Sequence, residues 1–242
     1  MPVKYVLELL LLAAVWGASF IFMRTTVPDF GPIMLITLRT GIAAVFLLPF
    51  LIKAKLLSQL KIHWLPILVV GLINTAIPFC LFSYSTLYLG AGYASVLNAT
   101  VPMFGAIIGF FWLKDYLSNI AIFGLLVGFC GVLLLSIARD AAFSAEALLP
   151  VLAALLATLS YGAAACYAKK YLIGSQCFAF LSLAPLSLAF WPEQMPGLHS
   201  WLQVLILGVA CTALAYILYF RLIANVGAEK PSPWPIWYQY LA

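Results

Sequence analysis

Apolar runs long enough to cross a bilayer alternate with short polar stretches along almost the whole chain. They cover residues 5–23, 32–52, 64–84, 91–112, 120–137, 147–167, 176–191 and 201–223. A hydrocarbon core of ~30 Å takes ~20 residues of helix. Lipid gives the backbone no hydrogen-bond partners, so each run must satisfy its own N–H and C=O groups. The pattern predicts an all-α polytopic membrane protein with about eight spans. The first run is too long for a signal-peptide core and has no clear small-x-small cleavage site, so it reads as a retained helix.

Polar residues inside the runs are few and carry the information. Asn98, Thr100 and Pro102 interrupt the 91–112 run, and Gly105 and Gly109 follow at the spacing of a helix-contact seam. Backbone freed by a membrane proline needs a partner, so this run is expected to face other helices or a cavity rather than lipid. Gly124 and Gly128 repeat the seam spacing in the next run, and such seams also suit a homodimer. Arg39 lies well inside the second run, where a guanidinium costs ~2.5–3.5 kcal/mol even on the lenient insertion scale. Either a cavity, carbonyl cluster or anionic ligand compensates it, or its stem snorkels to the interface about two turns away. Glu8, about one turn inside the first run, reads either as an interfacial carboxylate near Lys4 or as a proton-coupling site.

The chain also matches itself. Gly71-Leu72-Ile73-Asn74-Thr75-Ala76 aligns with Gly208-Val209-Ala210-Cys211-Thr212-Ala213 at an offset of 137, and the register holds through Phe79/Tyr216, Phe82/Tyr219 and Gly90/Gly227. Trp16-Gly17-Ala18 aligns with Tyr161-Gly162-Ala163 at an offset of 145. Five spans precede the polar linker 139–146, and an odd number turns the second copy upside down in the membrane. Inverted repeats of this kind are the structural logic of secondary transporters, with a site near the midplane between the copies.

These residues resemble a known family. Trp16-Gly17-Ala18-Ser19-Phe20, the Leu38-Arg39 pair, the stretch Ala94-Ser95-Val96-Leu97-Asn98-Ala99-Thr100-Val101-Pro102-Met103-Phe104 and the closing Leu113-Lys114-Asp115 look like an EamA repeat of the drug/metabolite transporter superfamily. So does the segment from Gly208 to Ala228, as the third span of a second repeat. Asp115 stands where the family commonly has Glu. The resemblance implies two inverted five-helix repeats in the cytoplasmic membrane. It also implies export or exchange of amino acids, metabolites or toxic compounds without ATP. The expected division is a first repeat over 1–138, an extracytoplasmic linker over 139–146, an incomplete second repeat over 147–228 and a short tail over 229–242. The expected substrate-binding cavity is lined by Trp16, Arg39, Asn74, Asn98, Tyr161 and Tyr216. Each has a structural alternative: the two asparagines can simply bond across helices, worth ~0.6 kcal/mol on average, and the aromatics can simply pack.

Composition narrows the function classes. Of 242 residues, 66% are hydrophobic and only 8% charged, against about 25% charged in soluble domains; the mean hydropathy is +1.13. The net charge of +5 is spread singly between apolar runs, so it does not point to nucleic acid. With the N-terminus in the cytoplasm, Lys4, Lys53, Lys55, Lys61, Lys114, Lys169, Lys170, Arg221 and Lys230 fall inside, and only Arg24 and Arg139 fall outside. That asymmetry predicts the N-in orientation. Five cysteines lie inside runs without metal-ligand spacing, and the two histidines lie at run edges. No cofactor is expected, and the partners are a small-molecule solute and the lipid bilayer. An intramembrane enzyme would need paired carboxylates, a Ser/His pair or a His cluster at membrane depth, and the acids instead lie in loops or at run ends. A non-transporting assembly subunit, built on the glycine seams, is the remaining alternative.

The ending carries an expectation of its own. Lys230-Pro231-Ser232-Pro233-Trp234-Pro235-Ile236-Trp237-Tyr238-Gln239-Tyr240-Leu241-Ala242 is too short to span and holds three prolines that cannot donate backbone hydrogen bonds. Read one nucleotide earlier, its codons permit A-F-S-V-A-Y-L-V-P-I-F-G, which at the offset of 137 runs opposite residues 94–105. A frameshifted, truncated second repeat is expected from this, with little or no transport by the chain alone.

Overall fold

The computed structural model describes residues 2–53, 57–114, 118–138, 145–167 and 174–226. Residues 139–144 of the expected 139–146 linker, Asp115, the Lys169-Lys170 pair and the expected tail lie outside the described residues, while Ala145 and Glu146 already belong to a helix. Among the described residues all regular structure is helical.

Helix α1 (Val3–Phe30) is followed by α2 (Pro32–Lys53), a short α3 (Leu57–Ile62), α4 (Trp64–Tyr88), α5 (Ala91–Trp112), α6 (Asn119–Ala138), α7 (Ala145–Tyr167), α8 (Ser175–Phe190) and α9 (Leu198–Ile223). Six of them, α1, α2, α4, α5, α7 and α9, are long and apolar enough to cross a membrane. The shorter apolar helices α6 and α8 stand on the fifth and seventh expected runs. The chain is therefore a polytopic helical membrane protein.

Helix α1 runs past the expected limit at Met23. Its apolar run breaks at Arg24, but the helix continues through it, and the Arg24 side chain finds acceptors on a neighbouring helix. Its Nη1 donates to the carbonyls of Thr86 (2.6 Å) and Leu87 at the end of α4, where a helix leaves carbonyls without backbone partners. Gly31, at φ +70°, ends α1, and Pro32 opens α2. Lipid-facing and core-facing surfaces are both apolar, so packing rather than amphipathicity sets the arrangement. Helix α7 lies between the second half of α4 and α5; α8 lies along α2 and the first half of α4; α9 lies along α1 and α2. Phe20, Met23 and Val27 of α1, Leu35 of α2, Phe82 of α4, Leu97 of α5, Ala157 of α7, Ala179 of α8 and Leu207 of α9 form one buried cluster.

Helix α5 packs against α7 and α1 along one side and is exposed on the other. Tyr93, Ala94, Leu97 and Thr100 are buried, but Pro102 is exposed. The break at Ala99 and Thr100 is repaired locally: their N–H groups bond Val96 and Leu97 three residues back, at 3.0 and 3.1 Å, and the Thr100 hydroxyl adds a bond to Leu97. Tighter i→i−3 bonds thus satisfy the Val96 and Leu97 carbonyls just ahead of the proline. Helix α6 touches the bundle through Phe129 against Phe104 at 5.9 Å and Gly128 against Met103. Its Ile120, Phe123, Leu126, Leu133 and Leu134 are exposed.

Candidate functional site

Two π-turns build the centre of the molecule. Leu72–Ala76 in α4 and Val209–Leu214 in α9 widen the helix by one residue, immediately after Gly71 and Gly208. A π-turn leaves carbonyls short of i→i−4 partners, and such bulges are frequent at functional sites. Here hydroxyls satisfy them: Ser160 of α7 donates to the carbonyl of Ile73 at 2.7 Å, and Thr212 donates to that of Leu207 at 2.8 Å. The glycines ahead of the turns let the crossing helices touch backbone. A Cβ at Gly208 would sit 2.6 Å from Ile42 Cβ and 3.2 Å from the Arg39 carbonyl; one at Gly71 would sit 3.2 Å from Phe178 Cβ and 2.9 Å from the Ser175 carbonyl.

Arg39 projects into this junction and is 3% exposed, so it does not snorkel. Its Nε donates to the Thr212 hydroxyl at 2.8 Å, its Nη1 lies 3.4 Å from Met23 Sδ, and its guanidinium lies 4.0 Å from the Phe79 ring centroid. Thr212 thereby uses both roles of its hydroxyl, accepting from Arg39 and donating to its own π-turn. Tyr161, Tyr216 and Cys211 lie within electrostatic range of the cation. Among the described residues no carboxylate pairs with it.

Asn74 Nδ2 donates to the Tyr216 hydroxyl at 3.0 Å, and Thr75 lies close to the same hydroxyl. Gln176 of α8, 2% exposed, reaches Thr75 at 3.4 Å with Nε2 while its Oε1 has no partner. Of the expected site residues, Arg39, Asn74, Tyr161 and Tyr216 therefore meet. Trp16 stands on the flank, 5.5 Å from Tyr219 between ring centroids. Asn98 is half-buried on α5, and no hydrogen bond joins it to the Arg39 group. Thr212, Phe79, Thr75 and Gln176 belong to the junction and were not singled out in the sequence. The repeat alignment passes through three of them, and that was the signal available.

A vestibule of about 940 Å³ opens at the Phe30–Pro32 end of the bundle, walled by Asp29, Cys80, Tyr84, Trp191 and Glu193 among others. Arg39 lies seven residues beyond Pro32, about 10 Å down α2 at 1.5 Å per residue. Phe79, which covers the guanidinium, directly precedes Cys80 of the vestibule wall. At the opposite end Glu8 Oε1 pairs with Arg221 at 3.4 Å across α1 and α9, above a small apolar cluster of Leu12, Ala215 and Leu222. Glu8 thus has Arg221 as its partner rather than Lys4.

A helical membrane protein with a buried cation where two π-turned helices meet their neighbours has the kind of polar centre found in solute carriers. Residues 3–137 match the EamA-like transporter family, and the chain belongs to that family. It is a membrane transporter and not an enzyme. The chain is 26% identical over 243 residues to the uncharacterized transporter YoaV of Bacillus subtilis (strain 168), covering 95% of this chain and 83% of that protein. It is 24% identical to the uncharacterized transporter YvbV of the same organism, over 93% of this chain and 76% of that one. An uncharacterized transporter of Buchnera aphidicola subsp. Schizaphis graminum (strain Sg) is 25% identical over 92% of this chain and 78% of its own length. No solved structure matches the chain.

Proposed function

We propose that the chain is a secondary transporter that exports small metabolites, amino acids or drugs across the cytoplasmic membrane without ATP. The observation that carries this reading is Arg39: a cation kept at membrane depth, 3% exposed, with no carboxylate beside it. Such a group is costly and marks a solute path. Arg39, Asn74, Tyr161 and Tyr216 form the substrate-binding centre in this reading. Trp16 and Asn98 complete the lining of the cavity in this reading.

The reading includes two inverted repeats, over 1–138 and 147–228. Four pairs of features support it. The π-turns stand 137 residues apart, each behind its glycine. Gly208 meets α2 at Arg39 and Ile42, while Gly71 meets α8 at Ser175 and Phe178, each 136 residues further on. Trp16 packs on Tyr219, and Tyr161 stacks on Phe82 at 6.2 Å between centroids. Arg39 reaches the Thr of one π-turn and Gln176 the Thr of the other. The N-terminus is cytoplasmic, from the Lys/Arg asymmetry, which turns the vestibule outward and the Glu8–Arg221 pair inward. A homodimer would use the open Gly124 face of α6, where an added Cβ meets nothing within 4 Å; nucleic acid has no part in the function.

The test is solute efflux from proteoliposomes holding the chain and loaded with a metabolite panel. Arg39→Leu is expected to lower flux at least tenfold while insertion stays intact. Flux persisting in Arg39→Leu overturns the assignment of the centre.

A further inference from the structure

We infer that the centre recognises a singly charged oxyanion, and that the transported solute is an organic monoanion bearing a carboxylate. This deepens the transport reading and rests on it for the premise that solute reaches the junction.

The inference starts from which parts of the Arg39 guanidinium are already used. An arginine carries five N–H donors in a planar fork and does not deprotonate in proteins. Thr212 holds Nε at 2.8 Å, and the Phe79 ring covers one face at 4.0 Å. Met23 Sδ, at 3.4 Å from Nη1, is a weak acceptor. Nη2 has no hydrogen-bond partner among the described residues. The Nη1–Nη2 edge is therefore the part left for a ligand, and that edge matches the two oxygens of a carboxylate.

Charge balance sets the ligand's valence. The described acids are committed elsewhere. Glu8 pairs with Arg221, Asp29 accepts from Ser200, Glu146 opens α7, and Glu193 lines the vestibule. One buried positive charge stands alone, so a monoanion leaves the junction neutral. A dianion would leave one uncompensated negative charge, and a neutral or cationic solute would leave the positive charge unmet. At low dielectric each alternative is costly. The rest of the surroundings is aromatic, with Tyr161 in ring contact with both Phe79 and Phe82, which suits an apolar body behind the carboxylate.

The test uses the full chain in lipid nanodiscs and three probes of one shape: benzoate, neutral benzamide and dianionic phenylphosphonate at pH 8.5. A ligand that binds the folded state raises the thermal midpoint with concentration. Benzoate is expected to act at concentrations at least tenfold below those of benzamide or phenylphosphonate. Arg39→Gln is expected to erase the preference for benzoate over benzamide, and Arg39→Lys to retain part of it. Equal responses to benzoate and benzamide in the unsubstituted chain, the absence of any response included, overturn the inference without recourse to a variant. A preference that survives in Arg39→Gln overturns it as well. Flux separates this outcome from the fate of the transport reading: Arg39-dependent efflux of neutral solutes sinks the anion inference alone, whereas benzoate binding with no solute flux sinks the transport reading alone.

Discussion

Gly162 marks where α5 crosses α7 backbone to backbone. A Cβ there would lie 2.7 Å from the Gly105 nitrogen and 2.9 Å from the Phe104 carbonyl carbon, neither of which can swing aside. The reverse contact is ordinary, because a Cβ on Gly105 would meet only Gly162 Cα at 3.8 Å. Gly162→Ala should therefore force the helices apart and cost about 1–3 kcal/mol, the usual range for overpacking. Gly105→Ala should cost little, and Gly17→Ala, with nothing within 4 Å, should cost less still. Thermal unfolding of the three variants in one detergent checks the order; equal losses at Gly162 and Gly105 would refute the close crossing. The Gly105/Gly109 seam was legible from its spacing. Its partner was not, because a seam says that a helix comes close without saying which one.

At the level of helices, the two π-turns decide what α4 and α9 can do. Each redirects the residues that follow, and each puts a threonine, Thr75 or Thr212, where a helix of the other half reaches it. Their energetic weights differ. Thr212 answers a charged donor and also holds the Leu207 carbonyl, and hydrogen bonds to charged groups contribute roughly 1.5–3 kcal/mol against about 1 for neutral ones. Thr75 is met by a neutral amide at 3.4 Å. Thr212→Val is thus expected to lower the unfolding midpoint clearly more than Thr75→Val. Similar losses would show that Thr212 does not anchor Arg39. The repeat alignment begins at Gly71 and Gly208, one residue ahead of each turn, but it did not indicate a turn there. Their π geometry was not legible, because hydropathy does not distinguish i→i−4 from i→i−5 bonding.

Over the whole molecule, the ends of the helices sort by side. The vestibule is lined by the end of α1, the start of α2, the end of α4, the end of α8 and the start of α9, so these helix ends share one face. With the Lys/Arg asymmetry read as an N-in orientation, that face is expected to be extracytoplasmic. Reporter fusions at Ser58 and Ala142 check it: a cytoplasmic signal is expected at Ser58 and a periplasmic or external one at Ala142, and the opposite pair of signals would invert the vestibule. The Glu8–Arg221 pair joins α1 and α9 at the opposite end from the vestibule.

The membrane class, the positions of the apolar runs, the spacing between matching segments and the side bias of the cations were all determined by the sequence. These are local or additive properties: twenty apolar residues are a span whatever surrounds them. The tertiary structure alone decided which side chains meet. Arg39 finds Thr212 across 173 residues, Asn74 finds Tyr216 across 142 and Arg24 finds the Thr86 carbonyl across 62, while Asn98, with the same composition signal, stays outside that network. In water an apolar stripe announces which face of a helix points inward. In a bilayer both faces are apolar, so the rotation of each helix about its axis, and with it the make-up of the central site, is set by packing.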